Sequence, residues 1–287
     1  MTDTSSRRVV VGKIDLDTIG AAWLLGVSSA DEIQVVRGQA TAEDLANPEV
    51  VCIEVGGSGE VEMNNFDHHG EGSEDLPSAT AQVARAESPL VRYIDILDTK
   101  GPEEIRKLSS GQHPFLSDIV SGILLSKRDP KEQLLEGIRF LRLLSGSELD
   151  PFGSMQELVK EHPDLSGYVE AKAENDRQIA KALERAKWDV TRSGLKMAWL
   201  ETSFFGALGA LYNSGAQVVV AFNPDFRGVR KFTVGGNEGI RVNSILPSLN
   251  EREKGWGGPG SGTIIGSPQA GSVMELDEVV QIVKDGL

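Results

Sequence analysis

Cysteine is nearly absent: Cys52 is the only one in 287 residues, so no disulfide can close within the chain. That absence fits a reducing, cytoplasmic setting. Cys52 stands inside the apolar run VVCIEV and reads as a small buried packing residue. Long apolar runs are also missing. Nothing approaches the roughly 18 residues a membrane-spanning helix needs, so no membrane association is expected. The opening MTDTSSRRVVVG has no apolar centre of the kind a signal peptide carries. Basic residues are in deficit, 29 against 43 acidic, for a net charge of −14. Such a field repels long nucleic acid and favours a small substrate. Histidine is scarce as well, with four in the chain. Two of these, His68 and His69, are adjacent and directly follow Asp67 in NNFDHHG. Imidazoles are costly to bury without polar partners, so this pair wants solvent or a chemical role.

The length allows two domains with sizeable cores. RRVVVGKI (7–14), IQVVRG and VVCIEV read as short β-branched strands, with IGAAWLLGV and TAEDLA as the helices between them. Thr41 is placed to cap the second helix. Strands alternating with helices predict an α/β fold with a doubly wound, mostly parallel sheet, whose strands are apolar on both faces. From about residue 90 the apolar spacing turns helical, through PLVRYIDILD, PFLSDIVSGILLS and PKEQLLEGIRFLRLLSG. Residues 168–190 read as one long charged helix, a connector or an exposed face. Strands then return in LKMAWLE, AQVVVAFN, KFTVGG and GIRVNSI, and MELDEVVQIVKDGL closes as an amphipathic helix. The expected organisation is a metal-binding domain over 1–130, a helical connector over 131–192, and a smaller mixed α/β domain over 193–287.

In open parallel sheets, ligands bind beyond the carboxyl ends of the strands. Acidic groups fall at three such ends: Asp15 and Asp17 after the first strand, Glu54 after VVCIEV, and Asp67 with His68 and His69 after VEMNNF. Converging carboxylates repel one another unless a cation lies among them. A mixed carboxylate and imidazole set suits Mn²⁺, Fe²⁺ or Zn²⁺, with Mg²⁺ a further divalent choice. Two such ions about 3.5–4 Å apart would polarise a phosphoryl group and generate a hydroxide. Asp15 and Asp17 also stand where acids cap a following helix.

The order DLDTIGAAWLLG, FDHHG and a late glycine-rich GWGGPGSGTIIGSP resembles the DHH phosphoesterase superfamily with its DHHA1 domain. That superfamily includes RecJ-type exonucleases, oligoribonucleases that also act on nucleoside bisphosphates, cyclic-dinucleotide phosphodiesterases and family II pyrophosphatases. The resemblance implies Asp15 and Asp17 as metal ligands, His68 as a further ligand, Asp67 as its support, and His69 beside the substrate. It also implies a downstream aspartate ligand, for which Asp95, and next to it Asp98, are the candidates. Departures are present. Lys13 and Val11 stand where many relatives carry a histidine, Glu54 replaces a bridging aspartate, and Pro259 replaces the histidine of the GGH loop. Lys13 would meet phosphate as a point charge instead of ligating a metal.

In the second domain, Arg241 and the loop glycines Gly257, Gly258 and Gly260 are the candidate substrate contacts, because glycine lets backbone N–H groups approach an anion. The surrounding stretch 227–254 is basic, with Arg227, Arg230, Lys231, Arg252 and Lys254. The loop is neither a Walker loop nor a dinucleotide fingerprint. The expected function is a metal-dependent phosphohydrolase of a short oligonucleotide, dinucleotide, nucleoside bisphosphate or polyphosphate. A binder of nucleotide or phosphate without turnover is the alternative, favoured by Lys13 and Pro259. A homodimer is left open.

Overall fold

The computed structural model describes residues 6–36, 38–69, 75–226, 228–258 and 261–287. Gly70, Arg227, Pro259 and Gly260 lie outside the described residues. The chain divides into two compact units, Met1–Lys172 and Ala173–Leu287.

The first unit opens with β1 (Arg8–Val11), α1 (Leu16–Leu24), β2 (Glu32–Val35), α2 (Ala42–Leu45), β3 (Val51–Ile53) and β4 (Asn65–Phe66). Helices follow: α3 (Ala79–Val83), α4 (Pro89–Lys100), α5 (Pro102–Leu108), α6 (Leu116–Ser126), α7 (Pro130–Ser145), α8 (Gln156–Glu161) and α9 (Ser166–Leu183), within which the division falls. The sheet order is β2-β1-β3-β4, all parallel. Val9, Val11 and Ile53 face the larger core, with Ile19, Tyr93, Ile94, Ile119, Leu134 and Phe140 from the helices. Val10 and Cys52 face a smaller cluster with Ala40, Val50 and Val55. Burial on both faces explains why these strands are continuous Val/Ile runs. Helices α6 and α7, and Leu158 of α8, belong to the larger core.

The second unit contains β5 (Lys187–Val190), β6 (Lys196–Glu201), α10 (Ala207–Asn213), β7 (Val218–Phe226), β8 (Val229–Gly236), α11 (Leu246–Arg252), β9 (Ile264–Gly266) and α12 (Leu276–Gly286). Its sheet runs β5-β6-β7-β8-β9 and is antiparallel except between β6 and β7. Alternation along β7 sends Val218, Val220 and Phe222 to a core with Phe232, Trp256, Val279 and Val283. Val219 turns to the other face, with Leu211 of α10 and Ile179 and Ala182 of α9.

Two local expectations are corrected. The helix over 168–190 stops at Leu183, and Lys187–Val190 forms β5, because an antiparallel partner is available in β6, pairing Trp188 with Ala198. GIRVNSI is not a strand. The chain reverses after β8 through Glu238 and Gly239, both at positive φ, and Asn243–Ile245 forms a 3₁₀ turn leading into α11. Arg241 therefore sits in an exposed connection. Among the described residues, no helix is long and apolar enough to cross a membrane.

Gly122 of α6 marks a close helix approach, since a Cβ there would lie 2.0 Å from the Tyr168 carbonyl oxygen of α9. Gly122→Ala is expected to destabilise the first unit by about 1–3 kcal/mol in a urea titration, through overpacking.

Candidate metal centre

Four acidic groups gather at the carboxyl edge of the parallel sheet, and the backbone treats them differently. Asp17, in the first turn of α1, is 2% exposed. Its two oxygens accept from the N–H groups of Ala79 and Thr80, each at 2.8 Å, where α3 begins. Burial pushes its pKa up, and these hydrogen bonds work in the opposite direction. Asp67 is also buried. One oxygen accepts from Gly56 N at 2.9 Å and Gly57 N at 2.6 Å. The other accepts from His68 N at 2.7 Å and His69 N at 3.0 Å, and faces His69 Nδ1 at 3.1 Å. Burial alone would raise this carboxyl, but the His69 ring and the backbone N–H groups outweigh it and hold the pKa at about 2.

Among the described residues, Glu54 and Asp98 have no such amides. Glu54 follows β3 with φ of +59°, a left-handed conformation unusual for a non-glycine residue. The carbonyl of this turn lies against Gly12 at the end of β1, where a Cβ would meet Glu54 O at 2.5 Å. Glycine is needed there for that reason. Glu54 Oε2 lies 2.9 Å from His69 Nδ1, and Oε1 lies 3.8 Å from His68 Nε2. Asp98 comes from α4, with Oδ2 2.7 Å from His68 Nε2. That proximity pushes the His68 pKa up. Glu54 Oε1, His68 Nε2 and Asp98 Oδ2 are all buried, and beyond these ion-pair contacts none has a hydrogen-bond partner among the described residues. Two carboxylates aimed at one imidazole nitrogen need either a proton on that ring or a cation beside it.

Two overlapping ligand groups result, Glu54 with His68 and His69, and Asp17 with His68 and Asp98; within each, the donor atoms lie within 4.8 Å of one another. The first offers one carboxylate and two imidazoles and the second two carboxylates and one imidazole, and either donor set fits a divalent ion. Burial and the neighbouring Asp17 push Glu54 up to about 7, against the pull of His69. His69, flanked by Asp67 and Glu54, is pushed up to about 10. Its side chain is 58% exposed, so the ring carries a proton at neutral pH at the mouth of the cluster.

The other named residues stand apart. Asp15 caps α1, accepting from Thr18 N at 3.1 Å, and pairs with the exposed Lys13 at 3.4 Å. It joins neither ligand group. Asp95 accepts from Ser78 N at 2.9 Å and so fixes the start of α3, while its neighbour Asp98 faces His68. In the second unit, Arg241, Gly257 and Gly258 are exposed. A Cβ at Gly258 would meet the Ile264 carbonyl at 2.2 Å, which accounts for glycine there by packing. Arg230, Lys231 and Arg252 have structural partners in Glu275, the Ser267 and Pro268 carbonyls, and Glu278. Gln82 escaped the sequence reading; its amide donates to the Asp67 carbonyl at 2.9 Å and the Pro77 carbonyl at 2.8 Å, tying α3 to the histidine segment. The visible signals were Ser78 as a helix cap in PSATAQV and the glycine pair after Glu54.

Neither a protein-family model nor a curated protein matches the sequence. A solved pGpG-specific phosphodiesterase of Vibrio cholerae is similar over 97% of this chain and 100% of its own, with a TM-score of 0.57 and 16% identity. A DHH domain described as a member of a family of ribosomal proteins matches 96% of this chain and 85% of its own at 15% identity, with a TM-score of 0.44. An uncharacterised Helicobacter pylori protein matches 97% of this chain and 99% of its own at 13% identity, with a TM-score of 0.32. The two lower scores carry no argument by themselves. The first of the three likenesses shows a shared α/β fold, with the DLD and DHH segments of this chain at the carboxyl edge of its parallel sheet.

The raised Glu54 pKa sets a pH dependence. The folded chain holds this proton more tightly than the unfolded chain, so the contribution to stability is complete below about 4.5 and is lost as pH rises through about 7. In chelator, melting temperature should fall across that window by at least about 3 °C. Glu54→Gln should flatten the fall, and Mn²⁺ should reverse it.

Proposed function

We propose that the chain is a metal-dependent phosphohydrolase of a small phosphorylated substrate: a short oligonucleotide, dinucleotide, nucleoside bisphosphate or polyphosphate. The observation that carries this reading is the pair of ligand groups that share His68 at the sheet edge. The likeness in fold to a protein named as a pGpG-specific phosphodiesterase supports it.

Asp17, His68 and Asp98 would hold a divalent ion, with Glu54 Oε1 3.8 Å from Nε2 of the shared His68, Mn²⁺ being the first choice for a mixed carboxylate and imidazole set. When bound, such an ion supplies Lewis-acid polarisation of a phosphoryl oxygen and a water of lowered pKa. Two carboxylates facing Nδ1 keep the His69 ring doubly protonated, and its Nε2–H is the proton given to the leaving oxygen, leaving a neutral imidazole. Asp67 is a positioning residue. Its oxygens are engaged by backbone N–H groups, and it holds His68 and His69 in place. Asp17 ties the ligand cluster to α3, and Asp95 fixes that helix start from the other side.

A second reading, binding without turnover, is favoured by one observation. The ammonium of Lys13 lies 3.4 Å from Asp15, the aspartate that a two-metal site of the superfamily would use. That arrangement favours a single ion, with phosphate meeting Lys13.

The purified chain with Mn²⁺ should hydrolyse at least one of a panel of linear dinucleotides including pGpG, nucleoside bisphosphates, pyrophosphate and polyphosphate. Asp98→Ala and His68→Ala should each lower kcat/KM at least about 100-fold, with Asp95→Ala costing less. His69→Ala should lower kcat by about 10²–10⁴-fold. Saturable binding of panel members with no turnover under any divalent ion would establish the second reading instead.

A further inference from the structure

We propose that the second unit carries a nucleobase-binding pocket on the α10 side of its sheet. A cavity of about 210 Å³ opens there, lined by Thr202, Phe204, Phe205, Asn223, Phe226 and Thr233 among others. Phe204 and Phe205 are adjacent and 40% and 51% exposed, in the turn between β6 and α10. This exposed aromatic pair is held in place. The buried Asn175 donates to the Phe205 carbonyl at 2.9 Å and accepts from the Phe205 N–H at 3.1 Å. Both backbone polar groups of an exposed phenylalanine are thus fixed by one buried amide. The Phe204 N–H donates to Thr202 Oγ1 at 3.2 Å, and the rings of Phe205 and Phe226 meet edge to face at 5.9 Å.

The floor suits a flat ring. Across β7 and β8, Ala221 pairs with Thr233 and Asn223 with Lys231, all on the cavity face. The intervening pair, Phe222 and Phe232, turns to the opposite face and stacks at 4.4 Å in the core. Small and polar side chains below, and aromatic ones at the rim, give a stacking surface with hydrogen-bonding groups beside it. Charge argues against a phosphate here: Lys231, the one cation lining the cavity among the described residues, already donates to the Ser267 and Pro268 carbonyls at 2.7 Å each. The volume lies below the roughly 300 Å³ at which whole-ligand pockets begin, so it takes a base and not a dinucleotide. The ligand class is a purine base of a nucleotide, and this rests on the reading of the substrate as nucleotide-bearing.

The test uses the full chain and 2-aminopurine riboside 5′-monophosphate, whose fluorescence is quenched on stacking. Saturable quenching is expected, displaced by GMP and not by ribose 5-phosphate. Phe205→Ala and Phe205→Leu should each weaken binding at least 10-fold, while Phe205→Tyr stays within about 3-fold of the parent, because the contact is stacking. Circular dichroism confirms that each variant is folded. Binding that Leu preserves, displacement by ribose 5-phosphate, or an unchanged affinity in Phe205→Ala would each overturn the pocket. So would a Phe205→Ala chain that changes from dimer to monomer with its affinity intact, since the patch would then be a subunit interface. Binding here requires no turnover. A chain that quenches the probe but hydrolyses nothing refutes the phosphohydrolase reading alone, and one that hydrolyses dinucleotides without Phe205 dependence refutes the pocket alone.

Discussion

Negative charge crowded into a poorly solvated sheet edge is the constraint from which the first unit's local structure follows. Asp17, Glu54, Asp67 and Asp98 all converge there, and carboxylates in such surroundings need donors or a cation. The backbone answers for two of them. Asp17 is bound by the amides that open α3, and Asp67 by the amides of Gly56, Gly57, His68 and His69. Glu54 and Asp98 are left facing the imidazoles, with Glu54 Oε1 and Asp98 Oδ2 both directed at His68 Nε2. The same residue type therefore serves as a tie in one place and as a candidate ligand in another, and the local supply of N–H groups decides which.

The unusual backbone of this region serves that division. Glu54 holds a positive φ at the end of β3, and the strand beside it tolerates the turn only because Gly12 has no side chain. The next residues, Gly56 and Gly57, present their amides to Asp67, and Gln82 of α3 grips the Asp67 carbonyl. Helix α3 thus receives Asp17 at its first turn and reaches back to the histidine segment through its side chain. Strain at Glu54 is stored where the ligand cluster needs a carboxylate.

Much of this was legible in the residues. Apolar runs such as RVVV and VCI announced parallel strands buried on both faces, and acids at their carboxyl ends announced the edge where the cluster forms. Of Asp95 and Asp98, three apart on one helix face, the sequence reading favours Asp95; in the structure Asp95 accepts from Ser78 N and Asp98 faces His68. Asp15 read as a ligand and is engaged as a helix cap, a role equally compatible with its place before α1. The strand KWDV was hidden at the end of a charged helical pattern, since its stability comes from pairing with β6 and not from its own periodicity. The pinning of Phe205 by Asn175, thirty residues earlier, had no local signal at all.

The metal centre is tested most directly by crystals grown with Mn²⁺ and measured near the manganese edge. An anomalous peak bounded by the side chains of Asp17, His68 and Asp98 is expected. Well-ordered density for those three side chains with no anomalous peak among them would contradict the metal centre and, with it, the chemistry derived from it.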